Sequence, residues 1–175
     1  MLVKLQSEMD DKMIASPFLL AFVLLCGFAA IRDLNTLTIP NWLNGWLAFL
    51  FLPVCLLVLP GWEVFGAHLL TGLTALVLTF ALFSLGVFGG GDAKMIPAVL
   101  LWIGPAPLPA FLQVTAISGG LLTLVLIGLR SWVPQPGAPG FADEALRPGA
   151  GVPYGVAIAI GAVLTLPGSL LFQQI

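Results

Sequence analysis

Charge is what this sequence is short of. Only 8% of its 175 residues are Asp, Glu, Lys or Arg, where a soluble domain carries roughly a quarter. That scarcity excludes water as the solvent along most of the chain. No run of Lys and Arg is present to follow a phosphate backbone, so nucleic acid is excluded as a partner. There is one histidine, His68, and the two cysteines, Cys26 and Cys55, form no CxxC pair and sit inside apolar stretches. The cysteines read as small buried hydrophobes, and no zinc site, other metal or cofactor is expected. Neither GxxxxGK[ST] nor GxGxxG occurs, which argues against a nucleotide loop.

What is abundant is apolar. Hydrophobic residues make up 59% of the chain, and its mean hydropathy is +1.10. A helix needs about 20 apolar residues to cross a bilayer. Six runs approach that length, at about 13–31, 42–59, 65–88, 93–103, 110–129 and 152–172. The expected fold is an all-α integral membrane protein, a bundle of about six transmembrane helices. The fourth run is short and holds Pro97, so it is expected to be kinked, tilted or partly surrounded. An alternative reading makes the first run a signal peptide, with Gly27 and Ala29 near a cleavage site. Against it, the preceding MLVKLQSEMDDK mixes acids with lysines, whereas a signal peptide opens on a basic segment.

Lysine and arginine placement orients the bundle. Arg32, Lys94, Arg130 and Arg147 fall in the connections on one side, while PGWE and GPAPLP on the other hold none. The basic side is expected to be cytoplasmic, with both termini outside. Residues 1–12 then form an extracytoplasmic polar tail, and 13–175 a membrane domain. The Pro/Gly-rich stretch 130–151 reads as a mobile cytoplasmic linker, with a lid or substrate contact as the other reading.

Between Met13 and Leu129 the charged residues are Arg32, Asp33, Glu63, Asp92 and Lys94. Ionisable residues at membrane depth are expensive and mark functional sites. Asp33 sits just past the first run, and Asn35, Thr36 and Thr38 read as a turn leading to a helix start at Pro40 and Asn41. Alone, Asp33 reads as a solvated carboxylate paired with Arg32. Asp92 follows Gly89, Gly90 and Gly91, and alone it reads equally as the N-cap of the fourth helix. Together the two aspartates lie on the same side, each at the end of a different run. Such a pair hydrolyses a peptide without metal when one carboxylate is ionised and the other protonated. The helix N-terminus at Asp92 is expected to favour its anion, and the glycines to admit a substrate strand.

At these residues the chain resembles a family. RDLNTLTIPNWL (32–43) and GVFGGGDAKMIPAV (86–99) resemble the two motifs of the type IV prepilin peptidases, membrane aspartic proteases of the GxGD class. VPYGVAIAIG (152–161) is similar to their closing helix. The resemblance implies catalytic aspartates at Asp33 and Asp92. It also implies site-shaping or substrate-binding roles for Pro40, Asn41, Gly89, Gly90, Gly91 and Lys94. Lys94 is read as tuning Asp92 or holding a lipid phosphate. The implied activity is removal of a short basic leader from a prepilin held in the lipid bilayer. The chain looks like the short form found with Flp/Tad pili, without the CxxC-bearing methyltransferase region, and preflagellin peptidases are close in chemistry. Two rival readings are a small ion-coupled transporter with Asp33, Asp92 and Lys94 as a relay, and a non-catalytic pilus assembly subunit.

Overall fold

The computed structural model describes residues 2–58, 60–132, 142–147 and 149–174. The described residues form helices only: α1 (Leu2–Thr36), α2 (Asn41–Val58), α3 (Trp62–Ser84), α4 (Gly90–Ile103), α5 (Leu108–Trp132), the single turn α6 (Asp143–Leu146), α7 (Tyr154–Thr165) and the short α8 (Leu170–Gln174). Four stretches are long and apolar enough to cross a membrane: Pro17–Thr36, Asn41–Val58, Trp62–Ser84 and Leu108–Ser131. The protein is an all-α, multi-pass membrane bundle.

α4 is the hub. It packs against α2, α3 and α7, and Met95, Val99, Trp102 and Ile103 are buried on it. Phe22 and Cys26 of α1 and Leu43, Leu47 and Phe51 of α2 close around it. Trp102 fills the centre, and its Nε1–H donates to the Leu47 carbonyl at 2.7 Å. Lipid gives no hydrophobic drive between helices, so close approach depends on small residues. Gly72 lies against Leu101 and Pro97 of α4, and Gly161 of α7 lies against Thr115 and Phe111 of α5.

Pro97 has no N–H to donate to the carbonyl of Ala93, four residues back. Thr79 of α3 takes its place, and its hydroxyl donates to Ala93 O at 2.7 Å in the buried interface. Thr79→Val is therefore expected to lower stability by about 1 kcal/mol, up to about 3. Thr79→Ser, which keeps the donor, should melt near the wild type in the same detergent.

Several boundaries differ from those read in the sequence. α1 runs five residues past Ile31 and takes Asn35 and Thr36 with it, so the turn is Leu37–Pro40. Two side chains bond back into the last helical turn, Asn35 to Ile31 O at 2.7 Å and Thr36 to Arg32 O at 2.8 Å. Leu37 then turns left-handed at φ 50° and ends the helix. α3 stops at Ser84, not Phe88, where the chain turns at Gly86 with φ 73°. The sixth run is not one span. α7 gives way to a 3₁₀ turn at Leu166–Gly168, where Pro167 cannot continue the α pattern, and α8 turns back against α2 and α4.

The stretch read as a plain linker is partly docked. Residues 133–141 lie outside the described residues, but Ala145 is fully buried on the bundle. α6 packs on α1 and α5.

Candidate active site

The end of α1, the start of α2, the start of α4 and the start of α7 meet at one end of the bundle. Asp33 lies within the last turn of α1 and is 5% exposed. It forms no ion pair with Arg32 among the described residues, contrary to the local reading. Its Oδ2 instead accepts the backbone N–H of Gly155 at 2.7 Å, from the first turn of α7. Burial explains the change of partner, because Arg32 is exposed on the helix while Asp33 faces inward.

Asp92 is not an N-cap. The cap position belongs to Gly89, and Gly90 and Gly91 are already helical, which places Asp92 in the third helical position. Glycine is a poor helix former, yet packing leaves little room for anything larger. A Cβ on Gly91 would sit 3.1 Å from Ile39, one on Gly90 3.3 Å from the Phe83 ring, and one on Gly89 3.2 Å from Asp92 Oδ2. The glycines seat the start of α4 against Ile39, Phe83 and its own aspartate.

Asp92 is half-buried and lies outside the four long spans. No hydrogen bond reaches its carboxylate from the described residues. Burial first, and the negative charge of Asp33 second, push Asp92 up to about 7. The expectation that the helix N-terminus favours its anion is thus reversed. Desolvation is the first cause of that shift. Gly155 lies against both Asp33 and Ile39, and Ile39 lies against Gly91 beside Asp92, so the two carboxylates, 59 positions apart in sequence, share one neighbourhood.

Ile39 is the wedge between their supports, touching the Cβ positions of both Gly91 and Gly155. Pro40 holds the chain extended ahead of α2. Lys94 does not pair with Asp92 among the described residues; its Nζ donates to Asn41 Oδ1 at 2.8 Å. That bond ties the first residue of α2 to the first turns of α4, so the two sequence motifs are joined by a side-chain contact. Gly155 is the residue that sequence reasoning did not place at the site. Its one signal was its position in VPYG, after the long connection.

Cavity size does not mark this site. An apolar cleft of about 580 Å³, framed by Leu52, Cys55, Trp62 and Phe65, lies at the opposite end of the bundle. Among the described residues no cluster of His, Cys, Asp and Glu is arranged to hold a metal ion. The chemistry on offer is that of two carboxylates in a poorly solvated setting, one with a fixed donor and one without.

The model of the type IV leader peptidase family matches residues 20–124. That range takes in Asp33, the Pro40–Asn41 turn, the glycines and Asp92, and stops short of Gly155. No curated protein and no solved structure matches the chain.

Proposed function

The chain belongs to the type IV leader peptidase family, and from that premise we propose that it cleaves the short basic leader from Flp-type prepilins, using Asp33 and Asp92 as a water-activating pair. The observation that carries this reading is the meeting of both aspartates at one end of the bundle, Asp33 on the Gly155 N–H and Asp92 at the start of α4, with Ile39 packed between Gly91 and Gly155. Burial first and the Asp33 charge second push Asp92 up to about 7.

The roles follow from the donors. Asp33 receives the Gly155 N–H, which stabilises negative charge, and no hydrogen bond reaches the Asp92 carboxylate from the described residues. The shared proton therefore sits on Asp92. Asp33, ionised, takes a proton from water as the water oxygen attacks the scissile carbonyl. Asp92 donates its hydrogen bond to the carbonyl oxygen as that oxygen gains charge. As the intermediate collapses, the C–N bond breaks and the proton on Asp33 passes to the leaving amine. The apparent pKa values belong to the pair.

Arg32, Lys94, Arg130 and Arg147 gather at this end of the bundle, which supports a cytoplasmic site in the inner membrane with both termini outside. The substrate's apolar helix would lie in the bilayer beside the enzyme, and its leader would emerge at the aspartates. Placement at the ends of helices, away from a midplane cavity, disfavours the transporter reading.

The test is a processing assay with the purified protein and a leader-bearing precursor, reading the new N-terminus by mass spectrometry. Activity should be bell-shaped in pH. Its alkaline limb should fall near 7, because loss of the Asp92 proton removes the acid. Absence of cleavage between pH 5 and 8 sinks the proposal.

A further inference from the structure

We propose that Arg130 is a positioning residue for Asp33, acting through the segment that leads into α7. This inference rests on the peptidase reading above.

Arg130 closes α5 and its guanidinium spans two backbone carbonyls. Nε and Nη2 donate to Ala145 O at 3.0 and 2.6 Å, and Nη2 also donates to Gly151 O at 2.8 Å. Ala145 is fully buried, so its carbonyl has no water to fall back on and depends on this donor. A planar fork with several N–H groups suits two acceptors at once, whereas a lysine ammonium on a flexible stem does not hold that geometry. A second tether lies on α1 itself. Asn35 Oδ1 accepts the Ala142 N–H at 2.8 Å, two residues beyond Asp33.

Four residues after Gly151 comes Gly155. Tyr154 N–H bonds Val152 O at 2.9 Å and Val156 N–H bonds Pro153 O at 3.2 Å. Little slack is left between the carbonyl Arg130 grips and the N–H that Asp33 receives. The path is Arg130, Gly151, the first turn of α7, Gly155 N–H and Asp33 Oδ2. Its consequence is that Asp33 keeps the one donor that distinguishes it from Asp92.

The ionisable groups around Asp33 are few. α2 carries no carboxylate, amine or imidazole. α7 carries Tyr154. α6 carries Asp143 and Glu144, the latter paired with Arg147 at 2.8 Å. Arg32 lies on the same helix, and α4 brings Lys94, bound to Asn41, and Asp92, whose own shift the Asp33 charge contributes to. A change in the acidic limb of the activity profile therefore reports on the aspartate pair and its Gly155 donor.

The experiment measures leader cleavage against pH for the full chain, as wild type, Arg130→Lys and Arg130→Met. It adds amide hydrogen exchange of the peptide containing Gly155. With the clamp gone, the Asp33 anion loses its donor and the first proton leaves the pair at higher pH. Arg130→Met should lower kcat by roughly 10²-fold, the scale of small misplacements at a reacting centre. KM should hardly change, the acidic limb should move upward, and exchange at Gly155 should quicken. Arg130→Lys should fall between. If Arg130→Met does not insert, Arg130→Lys carries the same test. A lower rate with an unmoved acidic limb and unchanged exchange makes Arg130 merely structural and overturns the proposal, as does an unchanged rate. Full activity of Asp33→Asn would instead defeat the peptidase reading on which the inference stands.

Discussion

Asp33→Asn is expected to lower leader cleavage roughly 10⁴-fold, and Asp92→Asn roughly 10²- to 10³-fold, the span over which positioned proton-transfer groups contribute. The inequality comes from the two environments. Asparagine at position 33 leaves the attacking water without the carboxylate that the Gly155 N–H holds in place. At position 92 an amide still offers an N–H where the protonated carboxyl offered O–H, so it can polarise a carbonyl although it cannot pass a proton. Steady-state cleavage of a purified precursor measures both, with membrane insertion checked in parallel. Equal activity of both variants and the wild type would remove the pair from the mechanism. Stability should separate them as well. The folded chain holds the Asp92 proton up to about 7, above its ordinary 3.8. The folded state therefore binds a proton that the unfolded chain releases. Stability from this source is full below about 4 and is lost as the pH rises through about 7. Asp92→Asn, which cannot ionise, should keep its melting midpoint between pH 4 and 7 while the wild type declines over that range and levels off above it.

Much of this arrangement was legible in the sequence because membranes simplify it. Apolar runs set the long spans, and scarce charges drew attention to Asp33 and Asp92. What remained hidden has specific physical reasons. Three glycines ahead of Asp92 read as loop by propensity, yet close packing against Ile39 and Phe83 draws two of them into α4. The run from Val152 to Phe172 is apolar throughout, so hydropathy does not register the break that Pro167 and Gly168 impose. Lys94 sits two positions from Asp92, which left tuning of Asp92 and a lipid phosphate equally open in the sequence, and the first turns of α4 send its amine to Asn41. The partner of Asp33 is 122 residues away and is a backbone N–H, which has no signature in any side chain. Arg130 was visible as a topological charge, and its grip on Ala145 and Gly151 only in three dimensions.

Among the glycines at the site, Gly155→Ala should be the most damaging change, lowering cleavage by roughly 10²-fold or more. A Cβ there would lie 2.9 Å from Asp33 Oδ2, 3.0 Å from Asp33 Cβ and 2.8 Å from Ile39 Cδ1. The oxygen it meets is the one that accepts the Gly155 N–H, so the carboxylate cannot move aside and keep its donor. Nor can Ile39 yield freely, since its other side lies against Gly91. Two further glycines at the site give a graded comparison. At Gly91 the added methyl would meet Ile39 Cβ at 3.1 Å and its backbone nitrogen at 3.3 Å, a tighter fit than at Gly90, where the Phe83 ring edge at 3.3 Å can swing away. Alanine at Gly27 or Gly120 meets nothing within 4 Å, and inside a helix it should be neutral or slightly stabilising. Cleavage rates should therefore fall in the order Gly155→Ala, then Gly91→Ala, then Gly90→Ala, with the last near the wild type. A Gly155→Ala variant that cleaves at the wild-type rate would show that the carboxylate does not need this N–H, and the assignment of the ionised role to Asp33 would fail with it.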